Sequence, residues 1–552
     1  MGRFGVSVLA GSLLLAAAMG LGAAEREPGA GASGPVYVPL DSWVYPAFKR
    51  LASLGYLPDA DSLIMPWTRR QCAMLVAEAE EIESRRSTRL SAGKRNDLAL
   101  ELIRKLRSEF TAESEQGARA GVESLYVKSA GIAGTPLRDS YHFGQTVTND
   151  YGRPFAEGAN TIAGISLYGA AGRFSSYLRT EFQQAPATGP YEASVRNFIA
   201  AADGIPIPPA KPGASVRRIQ PLEAYVGIEL GLFDLTFGRQ STWWGPGSAS
   251  ALHFSNNAQP IDALRIHQST PILLPGPFRI LGRIRTEFLA GRLAGHNFPP
   301  GPLINAQKIT LQLTENFELG FTRSAIFGGA GHALTTGSFF RSLFSTESSR
   351  TGTDAGDRRS GFDFRWYLPK LRRRVTIYSD SLADDEPNPL AAPRRSAWAP
   401  GIYITGLPRL PRLDLRFETY STWLYRGDEG GRFIYWNNQY NDAYTNNGFI
   451  IGSWVGRDAR AYTASTTYWV SAQNTISAGW RQIKTGSEFL PGGGTQTDLS
   501  LSTQWSVRPG VLANFFLQRE RYDVPLLGSP RRNFTAQLQV TFYPKNWSIS
   551  QR

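Results

Sequence analysis

The stretch Phe534-Thr535-Ala536-Gln537-Leu538-Gln539-Val540-Thr541-Phe542 decides the fold class of this chain. Apolar and neutral polar residues alternate along it without interruption. Because successive side chains of a β-strand point to opposite faces, the pattern predicts a strand with one apolar face and one wet face. A helix does not produce this pattern, because its side chains repeat with a longer period.

The same alternation recurs in many segments from about residue 120 onwards, and only a few of them carry the continuous apolar run of a two-sided core. This combination is typical of a membrane β-barrel, with lipid outside and water or polar side chains inside. We therefore predict a transmembrane antiparallel β-barrel of about 18 strands, an even number as in bacterial outer-membrane barrels. Residues 278–289 and 449–455 are counted as single strands.

Short turns mostly alternate with long connections, as expected when tight turns lie at one end of a barrel and large loops at the other. The alternation fails near residues 290–307 and 457–459. Aromatic residues at many strand ends predict a girdle at the membrane interfaces. The girdle includes Trp366, Tyr367, Tyr468 and Trp469. The long connections are residues 184–221, 241–277, 327–360, 381–398 and 421–447.

The first 24 residues are predicted to be a secretory signal peptide, since Arg3 precedes the apolar run Val6–Met19 and the small residues Gly22-Ala23-Ala24 follow. The alternative is a membrane anchor, for which this apolar run is short. Beyond residue 24 the sequence has no run of about 18 apolar residues, which excludes a transmembrane helix.

Residues 25–118 are predicted to form a periplasmic helical bundle, and residues 119–552 the barrel. Three helical segments precede the first strand, and the second opens with the capping box Thr68-Arg69-Arg70-Gln71. The single cysteine, Cys72, lies in this second helix and is predicted to be a small buried side chain.

The formal net charge of +13 indicates an anionic partner. Nucleic acid is a poor candidate for an exported protein, whereas the phosphates of lipopolysaccharide or an acidic polysaccharide fit. The alternative is that scattered arginines line the rims and the wet interior of the barrel.

Enzyme motifs are absent from the sequence: it has no HExxH, no CxxC pair, no Walker loop and no GxSxG. We predict no enzymatic activity, no cofactor and no metal. An outer-membrane hydrolase would need an activated nucleophile. His253 and Ser255 lie close in sequence, but no acid accompanies them.

The segment Phe237–Gly247, followed by Leu252–Ala258, has a composition suited to sugar binding. The tryptophan faces can cover a pyranose ring, the asparagine amides can both donate to and accept from hydroxyls, and Arg239, Arg265 and His267 could hold uronate carboxylates. The alternative is that this loop folds inside the barrel and constricts it, with the Trp pair as packing.

A second cluster of aromatic and amide residues occupies residues 435–442, within a long connection, and follows the same logic. The alternative interpretation of this cluster is a polar loop with an aromatic belt at the membrane interface. The predicted saccharide-binding residues from both clusters are Arg239, Trp243, Trp244, His253, Asn256, Asn257, Arg265, Trp436, Asn437 and Asn438.

Several of these motifs resemble the Wzi family of capsule assembly proteins. The resemblance is carried in the middle of the chain by Gly238-Arg239-Gln240, Trp243-Trp244-Gly245-Pro246-Gly247 and Ser255-Asn256-Asn257, and further along by Tyr444–Asp458. In the helical segment it is carried by Trp43-Val44-Tyr45-Pro46, Leu51-Ala52-Ser53-Leu54-Gly55 and Pro66-Trp67-Thr68-Arg69.

This resemblance implies an outer-membrane barrel with a periplasmic helical bundle, acting as a lectin that holds capsular polysaccharide at the cell surface. We expect a monomer whose partners are secreted polysaccharide, outer-membrane lipid and lipopolysaccharide. The rival prediction is a carbohydrate-selective outer-membrane porin.

Overall fold

The computed structural model describes residues 34–58, 60, 63–89, 97–111, 117–344, 356–371, 374–384, 389–390, 392–424, 431–544 and 548–551. The predicted signal peptide, residues 1–24, lies outside these ranges. Within them, no helix combines the length and the apolarity needed to cross a membrane.

Eighteen antiparallel strands close into a barrel, which confirms the predicted fold class. Each strand pairs with its neighbours in chain order, and the seam closes where β1 pairs with both β2 and β18. The strands are β1 (Ala118–Ala133), β2 (Gly158–Ala171), β3 (Phe174–Ala185), β4 (Val216–Leu230), β5 (Phe233–Gln240), β6 (Ile261–Gln268), β7 (Arg283–Arg292), β8 (Leu303–Thr314), β9 (Phe317–Phe327), β10 (Asp357–Tyr367), β11 (Val375–Asp384), β12 (Ser396–Ile404), β13 (Leu413–Ser421), β14 (Ala459–Trp469), β15 (Thr475–Thr485), β16 (Gly494–Arg508), β17 (Val511–Asp523) and β18 (Arg531–Phe542).

Strand β18 contains the stretch that decided the fold class, and its two faces are sorted as a membrane barrel requires. Leu538 points outward and is 48% exposed, whereas Thr535 points inward and is 1% exposed. Apolar side chains therefore cover the outer wall and polar side chains are buried inside, the reverse of a soluble protein.

The number of strands was predicted correctly, but one assignment was wrong. Residues 449–455 are not a barrel strand, since only Phe449–Ile450 is extended and it pairs with Thr445–Asn446. The missed strand is β6, which the prediction placed in a long connection. Its outer face carries a carboxylate, Asp262, and its inner face carries Arg265 and His267, so no clean alternation marks it.

With β6 included, all the longest loops lie at one end of the barrel, although the connection 269–282 at the other end is longer than its neighbours there. The strand predicted over residues 278–289 also starts later, because Gly276–Leu281 is a 3₁₀ helix and β7 begins only at Arg283. The two apparent failures of the alternation thus came from misplaced strands.

Adjacent aromatic residues at strand ends do not both belong to a girdle. Trp366 and Tyr468 are exposed on the outer wall, whereas Tyr367 and Trp469 are buried inside. The strand period of two residues forces this split, so the girdle prediction was wrong for Tyr367 and Trp469.

The last described residues extend the seam. Ser548–Gln551 pairs with Ala118–Gly121 at the start of β1, whereas β18 pairs with Leu125–Ala133 further along the same strand. The segment therefore continues β18 along β1 with a shift in register.

Three helices precede the barrel: α1 (Val44–Ser53), α2 (Arg69–Arg89) and α3 (Asp97–Phe110). The capping box is present, because the Thr68 amide donates to Gln71 Oε1 at 2.7 Å and the Gln71 amide donates to Thr68 Oγ1 at 3.1 Å. Cys72 is buried as a thiol, outside any disulfide, within the apolar core shared by the three helices. Two further helices lie in long loops, α4 (Ala193–Asp203) and α5 (Thr336–Phe344).

The helical bundle is joined to the barrel at the end with the short turns. Ile64–Met65 forms a two-stranded antiparallel sheet with Trp243–Trp244 from the loop between β5 and β6. Arg50 of α1 forms a buried ion pair with Asp414 at the start of β13. The bundle therefore contacts both the wall and the interior of the barrel.

Candidate functional site

The loop of residues 241–260, between β5 and β6, folds into the lumen of the barrel. Its backbone amides are held by carboxylates on the inner wall: the Leu252 amide donates to Asp380 Oδ2 at 2.7 Å, and the Ser248 amide donates to Glu418 Oε1 at 2.7 Å. These buried carboxylates satisfy backbone groups that a loop inside a barrel cannot offer to water.

A second loop, of which the structure describes residues 431–458, packs against the first. The Ser255 amide donates to the Ile451 carbonyl at 2.9 Å, and the Tyr435 hydroxyl donates to the Leu252 carbonyl at 2.7 Å. The Tyr435 amide in turn donates to Asp384 Oδ2 on the wall at 3.0 Å. The two loops thus form one packed plug, with apolar side chains at its centre.

Trp244 is fully buried in this plug. Its indole Nε1 donates to Glu287 Oε1 at 3.1 Å, and its ring contacts Phe254 edge to face with centroids 4.7 Å apart. The ring has no free face for a sugar, which agrees with the alternative of packing for Trp244.

Arg265 and His267 both contact the carboxylate of Glu287, which also accepts the Trp244 indole N–H. His267 Nδ1 lies 2.7 Å from Glu287 Oε2, and Arg265 Nε lies 3.4 Å from Glu287 Oε1. All three side chains are buried. An internal carboxylate therefore occupies the place that the prediction gave to a uronate.

Arg239 lies apart from this cluster, on the outer wall. Its guanidinium binds Asp262 of the neighbouring strand through two hydrogen bonds of 2.9 and 2.8 Å. The alternation along β5 puts Arg239 on the same face as Phe237, so the structure does not bring it together with Arg265.

His253 and Asn257 hold the plug together. His253 Nε2 lies 3.2 Å from the Ser381 carbonyl, and Asn257 Nδ2 donates to the Ile450 carbonyl at 3.2 Å. Burial, together with the nearby Lys308, lowers the pKa of His253 to about 3, so that its ring is neutral.

Trp243 and Asn256 face a cavity of about 390 Å³ between helix α1 and the plug. Trp243 Nε1 and Asn256 Oδ1 are buried and have no hydrogen-bond partner among the described residues. Lys49 and Arg416 line the same cavity. Burial, together with Arg416 and Arg365, lowers the pKa of Lys49 to about 7. The cavity thus offers an indole N–H, an amide oxygen, a lysine amine and a guanidinium to a polar guest.

The segment of residues 436–441 lies at the other end of the plug, where the long loops meet. Trp436 Nε1 donates to the Asp203 carbonyl at 3.2 Å, and Asn437 Oδ1 accepts the Gln439 amide at 2.8 Å. This turn leaves the side chains of Asn438 and Gln439 exposed. We call residues 436–441 the rim segment.

Neighbouring loops hold the rim segment in place. Asp442 Oδ2 accepts the amides of Asn297 and Phe298 at 2.6 and 2.7 Å, which ties the segment to the loop between β7 and β8. The His332 ring stacks on Tyr440, with centroids 5.0 Å apart, and the Tyr440 side chain is fully buried. The exposed amides therefore stand beside the half-buried Trp436 ring, on a loop that its neighbours hold in place.

An ionic network missed by sequence reasoning supports this rim. His142 lies between two carboxylates, with Nδ1 2.7 Å from Asp139 Oδ2 and Nε2 2.8 Å from Asp203 Oδ2. Arg457 binds the other oxygen of Asp203 at 2.7 Å. The network joins three long loops that are far apart in sequence, so no local motif announces it.

Electrostatics keep His142 charged. Burial alone would lower the pKa of His142, but Asp139 and Asp203 outweigh it and raise this pKa to about 9. The same contacts lower the pKa of Asp203, against the effect of its burial. The helix α4, which ends at Asp203, is thereby clamped to the plug by charge.

The chain is similar in sequence or in structure to several known proteins. A stretch of 26% identity over 167 residues links the chain to an uncharacterised 55.8 kDa protein in the cps region of Klebsiella pneumoniae; the stretch is 30% of this chain and 33% of that relative. The chain thus spans about a third of the length of this curated relative.

Among solved structures, Wzi of Escherichia coli has a TM-score of 0.66 at 15% identity, with 93% of this chain and 99% of that chain covered. It is described as an outer-membrane protein involved in group 1 capsule assembly and as a carbohydrate-binding β-barrel. OprD of Pseudomonas aeruginosa has a TM-score of 0.40 at 8% identity, covering 78% and 96%.

The model of the family described as capsule assembly protein Wzi matches residues 128–536. This range runs from the first strand of the barrel to the last and includes both loops of the plug. The chain belongs to the Wzi family of capsule assembly proteins.

Proposed function

We propose that this protein is a non-catalytic, lectin-like barrel of the outer membrane that binds secreted polysaccharide and anchors it at the cell surface. Membership of a capsule assembly family supports this role. The description of the E. coli structure as a carbohydrate-binding β-barrel supports the class of ligand.

The observation that carries the proposal is the rim segment. It exposes Asn438 and Gln439 beside the half-buried Trp436 ring, at the end of the barrel where the long loops meet. Amide groups can donate to one hydroxyl and accept from another, and an adjacent ring can cover the apolar side of a sugar. Each such contact is weak, so retention depends on one polymer engaging many barrels through its repeats.

The predicted site residues take different roles in this proposal. Trp436, Asn437 and Asn438 belong to the polysaccharide-binding surface. Trp244, His253, Asn257 and Arg265 hold the plug beneath that surface, and Arg239 braces the wall through Asp262. Trp243 and Asn256 line the cavity beside helix α1, at the opposite end of the plug from the polysaccharide.

The filled lumen favours binding over the rival function of a carbohydrate-selective porin. Loop amides bonded to Asp380, Asp384 and Glu418 fix the plug to the wall, and buried apolar side chains fill its centre. Steady conduction of sugars would require this plug to leave. A planar-bilayer recording separates the two functions, because a porin gives a steady current that sugars block.

The orientation follows from the same proposal. The long loops face outward, while residues 25–118 and the short turns face the periplasm. The protein is a monomer in this view, and it is surrounded by outer-membrane lipid and lipopolysaccharide.

The test uses the full-length protein in detergent and capsular polysaccharide purified from the strain that carries the gene. The variant Asn438→Ala with Gln439→Ala removes two exposed amides from the rim segment. The matched control, Asn316→Ala with Gln473→Ala, removes two amides from turns at the opposite end. We expect the rim variant to bind about tenfold more weakly, as expected for the loss of one or two hydrogen bonds, and the control to match the parent protein.

Equal binding by the parent protein and the rim variant would remove the rim segment as the site. No binding of the polysaccharide by the parent protein would overturn the function itself.

A further inference from the structure

Three arginines cluster on the outer wall at the end of the barrel that carries the long loops. Arg521 of β17 and Arg532 of β18 are direct cross-strand partners, and Arg519 is two residues from Arg521 on the same face. All three side chains are exposed. Like charges placed directly opposite each other on a sheet destabilise it unless something lies between them.

A second opposed pair lies on the same wall. Arg460 of β14 is the cross-strand partner of Lys484 of β15, and both side chains are exposed. Strand β16 lies between the two pairs, and its residues at this level are uncharged: Thr495 is opposite Lys484, and Thr497 is opposite Arg521. Asp523, the other cross-strand partner of Thr495, lies between the two pairs on the same face. The five cations around this one carboxylate form a patch of net positive charge, which we call the outer basic patch.

The patch borders directly on the apolar wall. Phe534 is the cross-strand partner of Arg519, and Phe515 is that of Leu538 further along the same two strands. These three apolar side chains are all exposed. The positive charges therefore stand at the edge of the lipid-facing band, where the headgroups of the outer leaflet would lie.

Arg239 provides an internal contrast. It is also an outward-facing arginine at the same end of the barrel, and the wall supplies it with Asp262 through two hydrogen bonds. Among the described residues, no carboxylate forms an ion pair with Arg519, Arg521 or Arg532, although Asp523 lies two residues beyond Arg521. Arg460 lies over the Trp423 ring, 3.7 Å from its centroid. A partner for Arg519, Arg521 and Arg532 is thus expected from outside the chain.

We propose that the outer basic patch binds the phosphates of a phosphorylated glycolipid in the outer leaflet, whose acyl chains lie against Phe515, Phe534 and Leu538. A guanidinium matches two phosphate oxygens at once, so a phosphate between Arg521 and Arg532 turns their repulsion into a pair of attractive contacts. The proposal rests on the orientation of the barrel and the lipopolysaccharide surroundings given under the proposed function, and it is independent of polysaccharide binding.

The test is binding of diphosphoryl lipid A to the full-length protein in detergent, followed by native mass spectrometry and thermal unfolding. The variant carries Arg519→Ser, Arg521→Ser and Arg532→Ser. The control carries Arg173→Ser, Arg409→Ser and Arg508→Ser, which removes the same charge from the short-turn end. Dephosphorylated lipid A and inorganic phosphate are the other probes.

We expect the parent protein and the control to retain diphosphoryl lipid A about tenfold better than the variant, and to gain more in melting temperature when it is added. We expect weak retention of dephosphorylated lipid A and no competition by inorganic phosphate. Without lipid A, the variant should melt no lower than the parent protein.

Equal retention by the variant and the parent protein would overturn the proposal, and so would equal retention of the dephosphorylated lipid. Competition by inorganic phosphate alone would also overturn it, since the site would then bind a free anion. Polysaccharide binding by the variant should stay unchanged, which separates this result from the test of the proposed function.

Discussion

The loop at Trp243–Asn257 and the rim segment at Trp436–Asn441 have nearly the same composition but opposite environments. Both combine tryptophan with asparagine, and both were predicted to bind sugar. In the first, Trp244 is fully buried and bonded to Glu287. In the second, Asn438 is exposed on a turn at the open end. The type of a residue determines which contacts it can make, and its burial determines which of these contacts are still available to a ligand.

The largest expected effect of this difference is on stability. Trp244→Ala should destabilise the protein by about 3–5 kcal/mol, because it removes a fully buried indole and leaves Glu287 without one donor. Chemical denaturation followed by tryptophan fluorescence measures the loss. The exposed Trp505→Ala on the outer wall is the control, and a similar loss in both variants would contradict the assignment of Trp244 to the core.

A smaller and pH-dependent effect is expected at the clamp beneath the rim. The pKa of His142 is raised from 6.5 to about 9, which corresponds to about 3 kcal/mol of stability. Because the folded pKa is the higher one, this contribution is complete below pH 6.5 and is lost as the pH rises through about 9.

The variant His142→Gln tests this clamp. We expect it to melt well below the parent protein at about pH 6 and to melt close to it at about pH 10, since the parent loses the charge there. Thermal unfolding of both proteins across this range measures the difference. A gap that stays constant with pH would show that the charge of His142 does not hold the loops.

An effect of about 1 kcal/mol is expected for Trp436→Phe, which keeps a ring but removes the hydrogen bond from Nε1 to the Asp203 carbonyl. Thermal unfolding measures the loss, and Trp436→Tyr is a second variant without that bond. Polysaccharide binding should fall with the same change if helix α4 positions the rim segment.

The smallest effect on stability is expected where the effect on binding is largest. Asn438→Ala with Gln439→Ala should change the free energy of unfolding by less than about 0.5 kcal/mol, because both side chains are exposed. A loss of several kcal/mol in the same denaturation assay would show that the rim segment is structural, and the contrast with Trp244 would disappear.

The alternation of residues was enough to predict the barrel, its strand number and most strand positions, because one face must meet lipid and the other must not. It failed at β6, where Asp262 on the outer face is neutralised by Arg239 from the adjacent strand. A cross-strand ion pair is visible only after the pairing is known. The capping box at Thr68 was predictable because all its contacts are local.

The candidate site was predictable in its residue types but not in its geometry. Whether Trp244 faces a ligand or a carboxylate depends on Glu287, which is 43 residues away. The clamp of His142, Asp203 and Arg457 is assembled from three loops, and its charges gave no spacing that distinguishes it from scattered surface residues.

The small sheet between Ile64–Met65 and Trp243–Trp244 makes two distant parts of the chain depend on each other. The loop after β5 and the helical segment each supply backbone hydrogen-bond partners that the other would otherwise lack inside the protein. We therefore expect that a truncation of the helices would disorder the loop inside the barrel as well.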